Sequence, residues 1–301
     1  MTSNTKSIVL ASVAVLSWAT VATAFKIALS HLSVFNMLFV ATWTALIVFA
    51  VMMTAERKWR LLKSLGWRDT AFTGLLGIMN PVLYYLVLFR AYDMLPAQMA
   101  QPINYVWPVM LLVMLAVFNH ERIPAGKYIG MAFSVAGVVC ISLGGGGAES
   151  GVSAAGIAMA LLSAALWAAY WMCNNRIKDR VDTTVALFLG FLFGAIVLTV
   201  AGCVVGINIA STEGLLSGIY IGLFEMGIPF LTFGMALRIT SNPALINQMC
   251  YLAPFLSLFI IAIVLGETIV PATYFGLALI VAGIVYNQYF AGDAVKKRIS
   301  L

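Results

Sequence analysis

The stretch from Gln98 to Pro108 reads Gln-Met-Ala-Gln-Pro-Ile-Asn-Tyr-Val-Trp-Pro and opens a long apolar run. Gln98, Gln101, Tyr105 and Pro108 are spaced three, four and three apart, so a helix presents them on one face. A second copy stands 146 positions later, where Asn247, Tyr251 and Pro254 occupy the offsets of Gln101, Tyr105 and Pro108, with Gln248 alongside. These groups offer hydrogen bonds and ring faces, the chemistry of holding a small molecule rather than of breaking one. An amide in hydrocarbon is costly unless it is bonded, so Gln98, Gln101, Asn104, Tyr105, Trp107, Asn247, Gln248 and Tyr251 must face protein or a wet cavity. Two readings stay open: a cavity lining, or polar glue between helices.

Three further stripes carry recognisable groups. Ser163, Trp167, Tyr170, Trp171 and Asn174 fall at i, i+4, i+7, i+8 and i+11, one helical face. Rings around polar groups suit a ligand with a charged end and an apolar side chain. An interfacial aromatic belt is the other reading, for which Trp167 lies too deep. Gly218, Gly222, Glu225, Pro229 and Thr232 follow one another at four, three, four and three, with Glu225 in the middle of its apolar run. An acid there points to proton coupling, to binding of a substrate ammonium, or to a structural role as a protonated donor. Gly74, Gly77, Pro81 and Tyr84 repeat the stripe earlier, with Asn80 and Tyr85 beside them and no acid. Trp18 sits among Ser17, Thr20, Thr23 and Lys26, and Lys26 either meets a carboxylate or snorkels outward. Glu121 and Glu267 stand at equivalent turns, where capping of the following helix or pairing at a gate is expected.

No catalytic set accompanies these stripes. There is no His–Asp or Cys–His pairing and no Ser in a Gly-x-Ser-x-Gly setting, so an enzyme is not expected. Cys140, Cys173, Cys203 and Cys250 lie singly in apolar runs, and His31 and His120 stand far apart. Neither a metal, a disulfide nor a cofactor is expected.

The elements that must position these residues follow from composition. Of 301 residues, 62% are hydrophobic and 9% charged, against about 45–50% and about 25% in soluble domains. The surplus is lipid-facing surface, so the partner of most of the chain is the bilayer. Spans of about 20 residues are expected at 7–30, 34–55, 70–92, 97–118, 125–145, 153–175, 183–206, 214–238, 243–265 and 271–291. Lys6 runs directly into the first span, with no short apolar region and cleavage site of a signal peptide. Ten spans put 15 of the 17 Lys and Arg on one side, leaving only Lys26 and Arg90 opposite. Both termini are therefore expected in the cytoplasm. The same scatter explains the net charge of +6 without nucleic acid.

The chain also repeats itself. Trp18 pairs with Trp167, Gly74 and Pro81 with Gly222 and Pro229, and Tyr105, Pro108, Glu121, Tyr128, Gly130 and Gly137 with Tyr251, Pro254, Glu267, Tyr274, Gly276 and Gly283. The Gly144–Gly147 run is the natural linker, dividing the chain into five-span halves at 1–147 and 148–301. An odd number of spans per half inverts the second half, which is a transporter architecture. The expected fold is an all-α membrane protein of ten transmembrane helices in two inverted five-helix repeats around a central cavity.

Trp18, Pro-Ala-Leu-Ile at 243–246, Leu-Gly-Glu-Thr at 265–268, Asn104-Tyr105-Val106-Trp107-Pro108 and Trp167-Ala168-Ala169-Tyr170 together resemble the EamA branch of the drug/metabolite transporter superfamily, its aromatic amino acid exporters in particular. The resemblance implies that spans one to four and six to nine line the cavity, with five and ten outside, and that Tyr105, Trp107 and Trp167 lie near it. It implies export of aromatic and other neutral amino acids across the bacterial inner membrane by alternating access. The alternative is a proton-coupled drug or metabolite exporter using Glu225. The substrate-binding set expected from stripes and resemblance is Trp18, Asn80, Tyr84, Gln101, Tyr105, Trp107, Trp167, Trp171, Glu225, Asn247, Gln248 and Tyr251, in a chain acting as a monomer.

Overall fold

Short polar caps set where the helices begin. Ser33, Ser153, Asp182, Ser211 and Asn242 each accept a backbone N–H from the first turn of the helix they precede, satisfying donors that have no partner within a helix. The computed structural model describes residues 3–118, 120, 123–144, 153–177 and 179–299, the side chains at 243, 244 and 289–299 excepted. Every regular element among them is helical. They are α1 (Ser3–Leu29), α2 (Val34–Ala55), α3 (Trp67–Met94), α4 (Ala97–Phe118), α5 (Lys127–Gly144), α6 (Ala154–Asn174), α7 (Thr183–Val205), α8 (Thr212–Ile239) and α9 (Leu245–Leu265), all nine long and apolar enough to cross a membrane. Then comes α10 (Pro271–Ile299), and a six-residue helix, Trp59–Ser64, joins α2 to α3. Most of the linker run and Glu121 lie outside the described residues.

The two halves exchange partners. α1 packs on α8 and α9, while α6, its counterpart, packs on α3 and α4. α2 packs on α8, and α7 on α3; α5 and α10 pair with each other. Two bundles result: α3, α4, α6 and α7 in one, α1, α2, α8 and α9 in the other, with α2 and α7 packed where the bundles adjoin. Each bundle takes two helices from each half of the sequence, so moving one against the other moves parts of both repeats. Small residues let the helices approach. A Cβ on Gly77 would strike the main chain of Gly190, and one on Gly222 would strike Ala41. Lipid supplies no hydrophobic drive between helices, so this contact area has to hold them.

α3 and α8 are both broken near the middle. α3 passes through a π-helical turn at Ile78–Leu83, where Asn80 has extended dihedrals (φ −142, ψ 114) and Pro81 supplies no N–H. α8 passes through the matching turn Gly222–Gly227, just before Pro229. Glu225 and Asn80 sit on these turns, where irregular backbone is tolerated because it is buried in protein.

Candidate substrate site between the bundles

Glu225 projects from the break in α8 and is met across the bundle interface by Tyr85 of α3, whose hydroxyl donates to Oε1 at 3.1 Å. Trp18 of α1 donates its indole N–H to the main-chain oxygen of Glu225 at 3.3 Å, fixing the turn that carries the carboxylate. Glu225 is buried, with 8% of the residue exposed. Among the described residues no Lys, Arg or His comes within ion-pair distance of it.

Rings rise beside the acid. Tyr84 stacks on Trp167 with centroids 4.7 Å apart and planes 30° from parallel, and Trp167 stacks on Tyr170 at 5.6 Å. Phe230, five residues after Glu225, lies 5.9 Å from Trp167 and carries the contact back across to α8. Trp18 meets Phe233 edge-on at 5.4 Å. Phe230 and Phe233 were invisible in sequence, because a Phe within an apolar run carries no polar signal.

Amides close the far side of the stack. Tyr84 donates to Asn104 Oδ1 at 3.4 Å, Asn104 Nδ2 donates to Ser163 Oγ at 2.8 Å, and Ser163 donates to the Ala160 carbonyl. Gln101 is buried with Oε1 unpaired, and both amide atoms of Asn80 are buried and unpaired. Asn80 lines a cavity of about 10 Å³ with Thr73, Tyr170 and Asn174, room for about one water.

The expected site residues thus divide. Trp18, Asn80, Tyr84, Trp167 and Glu225 come together around the helix breaks. Gln101 is buried on α4, and Tyr105 and Trp107 pack part-buried against the same core. Trp171 meets Trp167 edge-on but is 40% exposed. Asn247 and Gln248 are not brought into the buried group; both are exposed at the start of α9. Tyr251 turns toward α10, accepting from Gln288 at 2.7 Å. Of the two roles expected of Glu267, capping of the following helix is not the one taken: its carboxylate accepts N–H groups of Ala97 (3.0 Å) and Gln98 (3.3 Å) at the start of α4. Gly266, left-handed at φ +67, makes the turn that points it there.

The two ends of the molecule differ. At one end Gln98 adds bonds to the Thr268 carbonyl, the Val270 N–H and the Thr273 hydroxyl, while Lys26 donates to the carbonyls of Tyr92 and Leu95. These contacts bind α1, α3, α4 and the α9–α10 turn together. The opposite end carries the basic residues. There α4 beyond Trp107 packs on α6 and the first turns of α9 pack on α1 and α8, while α2 and α7 stay packed across the bundles. Ion pairs also link the bundles at that end, Lys58 and Arg238 both meeting Asp182, while Lys58–Glu56 and Arg180–Asp69 lie within a bundle. Burial works against the charge of Glu56 and of Asp182. The hydrogen bonds from Lys58, joined by Thr184 at Glu56 and by the α7 backbone at Asp182, outweigh it and hold both carboxyls below their usual values.

Comparison with known proteins matches residues 5–143 and again 154–287 to the EamA-like transporter family. The chain belongs to that family. As an EamA-like protein it is a multi-pass membrane transporter, not an enzyme. It is 26% identical over 225 residues to a probable terminal-alkyne amino-acid exporter of Streptantibioticus cattleyicolor, covering 72% of this chain and 73% of that protein. It is also 26% identical over 210 residues to the uncharacterized transporter YvbV of Bacillus subtilis, covering 69% of this chain and 68% of that one. A solved crystal structure superposes with TM-score 0.67 at 22% identity, over 96% of this chain and 99% of that one, and so shares its fold.

Proposed function

We propose that this EamA-like transporter exports amino acids, aromatic and other neutral ones, across the bacterial inner membrane by alternating access. The observation that carries the reading is the Glu225–Tyr85 contact. It is a phenol-to-carboxyl hydrogen bond at the break in α8, made between two bundles whose α4 and α9 are tied together at one end and pack on separate bundles at the other. A site held between two such bodies opens to one side at a time when they rock. The positive-inside bias puts the basic end, and with it both termini, in the cytoplasm. The arrangement then corresponds to the loading state of an exporter: α4 and α9 packed apart toward the cytoplasm, closed outside by Glu267, Gln98 and Lys26. Trp18, Asn80, Tyr84, Gln101, Tyr105, Trp107, Trp167, Trp171 and Glu225 line the path. Asn247, Gln248 and Tyr251 join it when α9 closes. The S. cattleyicolor relative supports amino acids as cargo. The transporter works as a monomer, since one chain holds both bundles.

A second reading, proton-coupled export of drugs or metabolites, is favoured by one observation: a mid-span acid without a cationic partner. Counterflow in proteoliposomes with a panel of radiolabelled amino acids, with and without a pH gradient, separates the two. Saturable amino acid exchange indifferent to the gradient is expected. Flux that appears only with the gradient supports the second reading, and absence of exchange for every amino acid refutes the first.

A further inference from the structure

We infer that the site recognises the ammonium group of its cargo and leaves the carboxylate unread, so that its substrate class is primary amines with an apolar or aromatic body, amino acids being one subset. The inference rests on the transport reading above and deepens it.

The charges around the site carry the argument. Tyr85 occupies Oε1 of Glu225, leaving the second carboxylate oxygen without a protein partner among the described residues, in a residue that keeps 8% exposure. A buried carboxylate without a counter-charge is costly, and an ammonium placed there removes the cost through a charge-assisted hydrogen bond. The stack of Tyr84, Trp167 and Tyr170, with Phe230 beside it, gives the apolar body faces to lie on and gives the cation π-density.

Nothing answers a negative group in the same way. Lys26 places two of its three N–H groups on the Tyr92 and Leu95 carbonyls at the bonded end, Arg90 pairs with Asp93, and Arg238 pairs with Asp182. The amides nearby are neutral, and Asn104 already donates to Ser163. A substrate carboxylate entering here loses water and gains no cation, whereas its removal costs the complex little.

The test is thermal protection of the purified full-length protein by four probes: phenylalanine, phenethylamine, 3-phenylpropionate and N-acetylphenylalanine. Phenethylamine should protect at concentrations equal to or below those of phenylalanine. The two probes lacking a free ammonium should need at least about tenfold more, the scale of one lost charge-assisted hydrogen bond. Glu225→Gln should abolish the difference among the four while tryptophan emission and yield report a folded chain. Protection by 3-phenylpropionate matching phenylalanine, or failure of phenethylamine to protect, overturns the inference. If Glu225→Gln does not fold, competition of the same probes against phenylalanine counterflow in the unaltered protein decides it. The transport reading fails separately, by absence of counterflow for any amino acid.

Discussion

A carboxylate at the midpoint of a membrane-spanning helix stays there only if its surroundings answer it, and for Glu225 the answer is a phenol from the opposing bundle. Tyr85 is fully buried, and its hydroxyl bonds the acid, so it both aims the carboxylate and couples the bundles through it. Tyr85→Phe keeps the ring and removes that bond. Loss of about 1 kcal/mol is expected, roughly fivefold weaker protection by phenylalanine in thermal unfolding, with little change in folded yield. Unchanged protection would show that Tyr85 does not position Glu225. Much of this residue-level arrangement was legible in sequence. Trp18, Tyr84, Trp167 and Glu225 announced themselves because polar and aromatic groups at helical spacing stand out against an apolar background. Phe230 had no such contrast. Asn247 and Gln248 had the contrast without the burial, since spacing fixes a helix face but not which neighbour has closed over it.

At the scale of elements, the bond between the α9–α10 turn and the start of α4 ties that end together, and on the proposed reading it is the outer lock. Glu267 receives two backbone N–H groups there, and Gln98 makes two more bonds to the same turn and one to Thr273 at the start of α10. An acid at a helix N-terminus also meets the positive end of its dipole. Glu267→Ala leaves two donors unpaired, so hydrogen exchange at Ala97 and Gln98 should speed by about tenfold or more, the equivalent of about 1–3 kcal/mol, while α5 and α10 stay protected. Equal exchange in the two proteins would mean that the lock is held elsewhere. Sequence placed Glu267 at a gate or at the following helix but could not choose its partner. The choice depends on which half lies beside which, and the exchange of partners between halves is a property of assembled packing. The breaks in α3 and α8 fall beside Pro81 and Pro229, which interrupt the hydrogen-bond ladder.

Across the whole molecule, equivalent positions of the two repeats are placed differently. Gln101 and Asn247 are equivalent by their place in the repeat, yet Gln101 is buried near the bonded end and Asn247 is exposed near the other end. Under the proposed alternating access, rocking the bundles should bury Asn247 and expose Gln101. Composition and the positive-inside pattern made the class of fold legible, but one sequence specifies both states equally and cannot say which is populated. The most direct measurement is labelling of single cysteines, Gln101→Cys and Asn247→Cys, in a chain whose own cysteines are replaced, by an impermeant thiol reagent in vesicles of known orientation. The account predicts that without substrate position 247 reacts from the cytoplasmic side while position 101 is protected. It predicts further that outside substrate slows 247 and speeds 101 together. Simultaneous labelling of both positions, or labelling that ignores substrate, would contradict it.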